Sequence, residues 1–282
     1  MKRFFNPILA GAVLFMLLLT ACSDAQKPQD SDHLVGETLH TAVSHPDRPA
    51  NDKQRDNHRK PAQVLSFLGV RPGMTVLEIM SGRGYYTELL SRVVGQQGKV
   101  YSHNDKLYYD FQSDKFVEQR LNNNRLSNVL RWDKELDNLN LPANEVDAVF
   151  LMLVFHDMYW MDTDTDQLLN DIYKALKPGG TVGIVDHSAV TGSGDHAAKD
   201  MHGIHRIDEA LVKAAFAKAG FKLVRETNLL RNPDDDRSKP FFDSSLIDQP
   251  TDRFVLRYQK PPLESQANPS KNSPQKLANT NN

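Results

Sequence analysis

The segment from Thr75 to Tyr85 combines an apolar run, an acidic residue and two closely spaced glycines. Glu78 lies near the end of the apolar run, and Gly82 and Gly84 follow shortly after it. Glycines after a buried strand let the backbone approach a ligand closely, and an acidic side chain there can hold hydroxyl or ammonium groups. The segment therefore predicts a site for a nucleotide-type cofactor, although an ordinary strand-to-helix turn is the alternative.

Two pairs of histidine and aspartate lie where later strands are expected to end. His156-Asp157 follows the fourth apolar run, and Asp186-His187 follows the fifth. A histidine beside a carboxylate is suited to act as a general base, because its pKa lies near neutral pH. We expect both pairs to share one cleft; alternatively, they cap helices and stabilise loops.

The segment 186–208 leaves a metal site open as a rival hypothesis. His202 and His205 are spaced to lie on one face of a turn, but no thiolate is available and the segment contains several glycines. We assign no metal ligands and expect His205 and Arg206 to form part of the active-site wall, where Arg206 could pair with an acidic substrate group. The side chains that keep the metal hypothesis open are His187, His196, His202, His205, Asp195 and Asp200.

Alternating strands and helices must position these residues. Short β-rich apolar runs alternate with helical patterns, as in a parallel sheet covered on both faces. Helices are expected from Pro61, after Gly84, over 114–121, around 168–176 and after Asp208, which is placed as an N-cap. The expected strands are 75–80, 99–103, 129–132, 146–154, 181–185, 221–229 and 253–258.

This order of elements, together with three motifs, resembles the class I S-adenosylmethionine-dependent methyltransferases. The motifs are Leu77-Glu78-Ile79-x-x-Gly82-x-Gly84-Tyr85, the turn at 176–180 and the final strand pair. The resemblance covers residues 61–260 and implies an α/β, Rossmann-like sheet of seven strands, mostly parallel with the last strand antiparallel, and helices on both faces.

The resemblance also implies S-adenosylmethionine as the cofactor and an unknown small molecule as the methyl acceptor. The positions implied for the cofactor are Glu78, Met80, Ser81, Gly82, Gly84, Tyr85, Asn104, Asp105 and Asp133. The candidates for catalysis remain those at the expected strand ends and in the segment after the fifth strand: His156, Asp157, His187, His205 and Arg206.

Two positions differ from the common pattern of this family. Met80 stands where such enzymes usually carry a glycine after the first strand, so its side chain would crowd or line the methionine end of the cofactor. Asn104, with Asp105 one residue later, stands where a carboxylate usually grips the ribose diol. Asparagine can still donate and accept hydrogen bonds, but without charge assistance.

Further motifs resemble an exported branch of bacterial methyltransferases, most of them uncharacterised. These motifs are the segment 48–59 with its alternating basic and acidic residues, His156-Asp157, the run 205–208 and the run 231–233. We expect residues 33–60 to fold over the mouth of the sheet as an N-terminal lid. The alternative is a surface helix with ion pairs between residues i and i+4.

The N-terminus has the pattern of an export signal. Lys2 and Arg3 precede an apolar stretch over 8–19 that is too short to span a bilayer comfortably. The run 19–22 resembles the lipobox of bacterial lipoproteins, which implies cleavage after residue 21 and lipidation of Cys22. Because Cys22 is the only cysteine, disulfides are excluded. Ser23 resembles the pattern sent on to the outer membrane, so we expect a lipid-anchored protein that faces the periplasm.

The composition fits one globular domain with polar ends. We expect a tether over 22–32, the methyltransferase-like domain over 61–260 and a disordered tail over 261–282, which is rich in polar residues. Without the signal the net charge would be about −4, which argues against a broad nucleic-acid surface. The second class of function is a non-catalytic or metal-assisted ligand-binding lipoprotein that reuses the fold, because S-adenosylmethionine is made in the cytoplasm.

Overall fold

A computed structural model of the chain describes residues 28–110, 113–246 and 250–262. The expected signal segment, Cys22 and nearly all of the expected tail lie outside these ranges. Within them the chain forms a seven-stranded sheet in the order β3-β2-β1-β4-β5-β7-β6, in which β7 runs antiparallel to both neighbours. The predicted fold class is therefore confirmed. The strands are β1 Thr75–Ile79, β2 Lys99–Asn104, β3 Val129–Asp133, β4 Val146–Met152, β5 Leu176–His187, β6 Lys222–Thr227 and β7 Arg253–Gln259.

Helices cover both faces of this sheet. Two apolar clusters lie on its two sides, one built around Leu77 and Phe216 and the other around Val76 and Phe150. None of the helices within the described ranges combines the length and the apolarity needed to cross a membrane. The helices are α1 Pro28–Ser44, α2 Ala50–Gln54, α3 Asp56–Arg59, α4 Pro61–Leu68, α5 Tyr85–Val94, α6 Lys106–Asp110, α7 Ser113–Leu121, α8 Asp157–Trp160, α9 Thr165–Ala175 and α10 Glu209–Lys218.

Local capping explains where the helices beside the site begin. The Asp208 side chain accepts the Ala210 N–H at 2.9 Å and so caps α10 as predicted. Its other oxygen accepts the N–H groups of Gly192 and Gly194, at 2.7 and 3.2 Å. The same carboxylate therefore holds the segment after β5 against the start of α10.

Strand bounds differ from the predicted ones by a few residues, and most at β5. The predicted strand begins at Thr181, whereas the extended segment begins at Leu176, directly after α9. Leu176 pairs with Val146, and the register between β4 and β5 shifts before the next pair, Ala148 with Thr181. The turn with its proline and two glycines is thus an irregular part of the strand.

The first described helix, α1, was not predicted. Residues 28–32, expected to belong to a tether, are helical, and the rest of α1 packs on α4 and α5 through buried Leu39 and Ala42. Residues 48–59 then form α2 and α3 near the glycine loop. Tertiary contacts, and not a strong helical pattern in the sequence, explain why these segments are structured.

Candidate active site

The glycine loop after β1 forms one wall of a cavity of about 590 Å³ at the carboxyl ends of the strands. Gly82 has a φ of +58°, and a Cβ there would approach only Tyr108, at 3.6 Å. Gly84 also has a positive φ, but a Cβ there would lie 2.8 Å from Arg120 Cδ. Gly82 therefore leaves space open to the cavity, whereas Gly84 leaves space for an arginine of the same chain.

Glu78 lines this cavity from the end of β1 and is almost completely buried. Thr87 Oγ1 donates a hydrogen bond of 2.6 Å to Glu78 Oε2. Burial raises the pKa of Glu78 to about 8, and the hydrogen bond from Thr87 and the charge of Arg120 only partly oppose this shift. The carboxyl group is thus poised to ionise when a positively charged ligand enters.

Some of the other positions predicted to bind the cofactor line the cavity. Asp105 and Asp133 do not, and each contacts other groups of the protein. Met80, Ser81 and Tyr85 line the cavity with Glu78 and Gly82. Met80 has a φ of +51°, which few side chains larger than asparagine adopt. Asp105 caps the start of α6 by accepting the Tyr108 N–H at 3.1 Å, and Asp133 Oδ2 lies 3.0 Å from the Arg131 guanidinium.

Asn104 has partners within the protein. Its Oδ1 accepts the Gly82 N–H at 2.8 Å, and its Nδ2 donates to Gly82 O at 3.1 Å. The side chain is almost fully buried. Asn104 therefore holds the glycine loop through both amide atoms, and its place beside the loop does not depend on a ribose.

A histidine cluster lies beside the cavity at the ends of β4 and β5. Asp186 Oδ1 lies 2.6 Å from His156 Nδ1, and Asp186 Oδ2 accepts the His156 backbone N–H at 2.8 Å. His205 Nδ1 lies 3.1 Å from Asp157 Oδ1. The rings of His156 and His205 are 5.6 Å apart, so the expected convergence of these segments is present.

His156 and His187 differ in charge. Burial alone would lower the pKa of His156, but the carboxylates of Asp186 and Asp157 outweigh it and raise that pKa to about 10. Burial and the nearby charge of His156 lower the pKa of His187 well below its ordinary value. His156 is therefore a cation without a bound metal, whereas His187 is a neutral imidazole at pH 7.

His187 lines the cavity, so it is the better placed proton acceptor. Its Nδ1 lies 2.6 Å from Thr251 Oγ1, and its ring stacks on Phe241 at 4.8 Å. When Nδ1 carries the proton and donates to Thr251, Nε2 is left with its lone pair. The predicted role of a general base thus fits His187, while the charge on His156 prevents it from accepting a proton.

Arg206 is held by partners outside the histidine cluster. Its guanidinium is completely buried, and both terminal nitrogens donate to Asp235, at 2.8 and 3.1 Å. Arg206 also donates to the carbonyl oxygens of Ser188 and Lys239. The expectation that Arg206 meets an acidic substrate group is therefore replaced by a structural role, because Asp235 already occupies the guanidinium.

The segment 48–59 lies over the glycine loop. Arg48 donates two hydrogen bonds to Asp56, at 2.7 and 2.8 Å, and Tyr85 Oη donates to Asp56 Oδ1 at 2.6 Å. Arg120 donates to Asp52 at 2.8 Å and to the buried Glu88 at 2.6 Å. These contacts bring Arg55, His58 and Arg59 to the wall of the cavity.

The sequence analysis assigned no role at the site to several of its residues, although Arg59 belongs to the segment expected to cover the mouth of the sheet. Arg59 lies over the rings of Tyr85 and Tyr86, with its guanidinium carbon 4.5 and 5.7 Å from the ring centroids. Arg253 and Phe241 line the cavity from β7 and the loop before it. The paired phenylalanines at 241 and 242, in an otherwise polar loop, were the one signal that could have indicated this wall.

Comparison with known proteins agrees with this geometry. A family model described as a methyltransferase domain matches residues 77–184, which include the glycine loop and His156-Asp157 but not His187, His205 or the segment 48–59. The ubiquinone/menaquinone biosynthesis C-methyltransferase UbiE of Escherichia coli K12 is 30% identical over 128 residues, 44% of this chain and 47% of UbiE. The chain thus spans about half the length of the curated relatives it matches.

Solved structures share the fold over most of the chain. A SAM-dependent methyltransferase from Aquifex aeolicus is 22% identical, with a TM-score of 0.54 over 78% of this chain and 97% of that one. The [4+2]-cyclase SpnF is 15% identical, with a TM-score of 0.54 over 83% and 94% of the two chains. Residues 77–184 are thus similar to a methyltransferase domain, and the chain has the fold of known S-adenosylmethionine-dependent methyltransferases.

Proposed function

We propose that the protein is an S-adenosylmethionine-dependent methyltransferase that acts on a small acceptor carrying an anionic group. The observation that carries the proposal is one cavity with a glycine loop and a buried carboxyl on one wall and with several arginines in its lining, among them Arg59 and Arg253. Its volume, about 590 Å³, lies within the range of small-molecule sites.

The residues present fit the cofactor. The open space at Gly82 is what close backbone approach of a ligand requires, and Glu78 offers an oxygen pair to ammonium or hydroxyl groups. Met80, Ser81 and Tyr85 would line the same end. When bound, S-adenosylmethionine supplies an electrophilic methyl group, so alignment of the acceptor is the main task left to the protein.

Arg59 and Arg253 support an anionic acceptor. The Arg59 side chain has no hydrogen bond or ion pair within the described residues, and the side-chain hydrogen bonds of Arg253 go to the carbonyl oxygens of His58 and Thr251. Burial lowers the pKa of Arg253 to about 10, which still leaves it charged at pH 7. Two cations that lack a carboxylate partner would be matched by a carboxylate or phosphate group of the acceptor.

His187 would accept a proton from an acceptor that loses one during transfer. Its Nε2 is the ring atom free for this role, and its lowered pKa keeps the ring neutral at pH 7. Phe241, stacked on His187, would fix the ring and limit the access of water.

For location, we propose attachment to the cell envelope by lipid on Cys22. The support is the sequence pattern of residues 2–23. This location requires that cofactor reach the envelope. Binding and transfer in the purified protein are therefore measured separately from location.

Calorimetry of the purified protein with S-adenosylmethionine and S-adenosylhomocysteine tests the cofactor. Wild-type protein should bind both, and Gly82→Val should bind neither, because the side chain fills the open space beside the loop. Transfer of labelled methyl groups is then measured on small carboxylated and phosphorylated acceptors. A folded wild-type protein that binds neither compound at millimolar concentration would refute the proposal; binding without transfer to any acceptor would favour the ligand-binding alternative.

A further inference from the structure

Three potential metal-binding side chains converge beside the cavity. His156, Asp157 and His205 are buried, and one ligand atom of each lies within 4.8 Å of the other two. His156 Nε2 and His205 Nδ1 both lie 3.1 Å from Asp157 Oδ1. Ligand atoms around a tetrahedral zinc ion, at 2.0 to 2.2 Å from the metal, are about 3.3 Å apart. Both distances of 3.1 Å are therefore close to the distance between two ligand atoms in such a site.

His156 Nε2 is buried and makes no hydrogen bond of good geometry within the described residues, and Asp157 Oδ1 approaches it only as a charged neighbour, at 3.1 Å. A buried polar atom without a partner is costly, and native proteins rarely leave one. The backbone of His205 is also unusual, with a φ of +51°. A non-glycine residue held in this conformation is a reason to suspect a functional site.

The remaining atoms of the three side chains are already held in place. Asp186 lies at His156 Nδ1, 2.6 Å away, and the Met201 carbonyl oxygen lies 2.7 Å from His205 Nε2. Metal-bound histidines almost always donate their second N–H to a carboxylate or a backbone carbonyl in this way. Trp160 Nε1 and Tyr108 Oη donate to the two oxygens of Asp157, at 2.7 and 3.0 Å.

We propose that His156 Nε2, His205 Nδ1 and Asp157 bind one divalent transition-metal ion, of which zinc is the expected member. Two imidazoles and one carboxylate suit zinc, whereas calcium and magnesium prefer oxygen ligands. This site differs from the His202-x-x-His205 pair suggested by spacing, because His202 is exposed and outside the cluster.

Three protein ligands leave a fourth position open, as in catalytic zinc sites. The ion would also join α8 to the segment that follows β5, since His156 and Asp157 come from one and His205 from the other. Methyl transfer as proposed above does not require it. The metal site therefore stands or falls independently of the methyltransferase activity.

Zinc binding to the purified full chain tests the site without an activity measurement. Metal is removed with a chelator, zinc chloride is added, and bound zinc and the melting temperature are measured. Wild type should bind one zinc per chain with a higher melting temperature, and His205→Gln should lose both effects. Asp186→Asn, which replaces the carboxylate at His156 Nδ1 by a neutral amide, should weaken zinc binding by about 10- to 100-fold.

His202→Gln is the matched control, because it removes an exposed histidine from the same segment. This variant should bind zinc as wild type does. Circular dichroism and calorimetry with S-adenosylhomocysteine establish that each variant is folded. Wild type without stoichiometric zinc, equal binding by His205→Gln, or loss of binding in His202→Gln would each overturn the assigned site.

Discussion

Replacement of Glu78 by glutamine isolates the titration of one buried carboxyl group. In the wild type, Thr87 Oγ1 donates a hydrogen bond of 2.6 Å to Glu78. The glutamine oxygen can still accept this hydrogen bond, but glutamine does not ionise. Burial raises the pKa of Glu78 from 4.5 to about 8 in the folded protein. The folded protein therefore holds this proton more tightly than the unfolded chain does.

The sign of the pH effect follows from that difference. Glu78 contributes fully to folding below pH 4.5, and the contribution is lost as the pH rises through about 8. Between pH 5 and pH 7.5 the loss is on the order of 3 kcal/mol. The free energy of unfolding of Glu78→Gln, relative to that of wild type, should rise by this amount over the same interval.

Urea unfolding of both proteins from pH 5 to pH 7.5 measures the difference. Other titrating groups affect both proteins alike, so only the difference between the two curves carries the information. A difference that stays constant with pH would refute the raised pKa. With S-adenosylmethionine bound, its positive charge favours the carboxylate, so Glu78→Gln should bind it more weakly at pH 8 by about 1.5 to 3 kcal/mol.

Three further outcomes concern the acceptor, the base and the location. His187→Gln should lower turnover by about 10²- to 10⁴-fold and leave cofactor affinity unchanged, measured by initial rates and calorimetry; an unchanged rate would exclude His187 as the base. Arg59→Gln should raise the KM for an anionic acceptor by about 10- to 100-fold, whereas Lys53→Gln, outside the cavity lining, should not; equal effects would argue against the anion contact. Cys22→Ser should lose labelled fatty acid and partition with soluble envelope proteins, and equal labelling of both proteins would remove the lipid anchor.

The fold could be predicted because its signals are local. Glycine and proline mark the ends of β1 and α9, and the alternation of apolar runs with helical patterns gives the order of the elements. Helix α1 was missed because its stability comes from packing on α4 and α5, with Leu39 and Ala42 as its buried residues.

The sequence predicts which segments meet at the site, because strand topology determines this, but it does not predict the partners and charges of the side chains there. Parallel neighbouring strands bring His156 and Asp186 together at one edge, and the following segment returns to the same edge with His205. The direction of Arg206 depends on Asp235, which is distant in sequence. The charge on His156 likewise depends in part on Asp186, which is distant in sequence.

At Asn104 the family resemblance and the local geometry predict opposite effects of a substitution. The resemblance places a ribose-binding carboxylate here, so Asn104→Asp would be expected to tighten cofactor binding. In the structure, however, Nδ2 donates to Gly82 O while Oδ1 accepts the Gly82 N–H. Aspartate keeps the second bond, but it loses the first and brings its charge against a carbonyl oxygen, at a cost of about 1 to 3 kcal/mol. We therefore expect Asn104→Asp to lower both the melting temperature and the affinity for S-adenosylhomocysteine. Tighter binding by the variant would show that the ribose contact outweighs the hold of Asn104 on the loop.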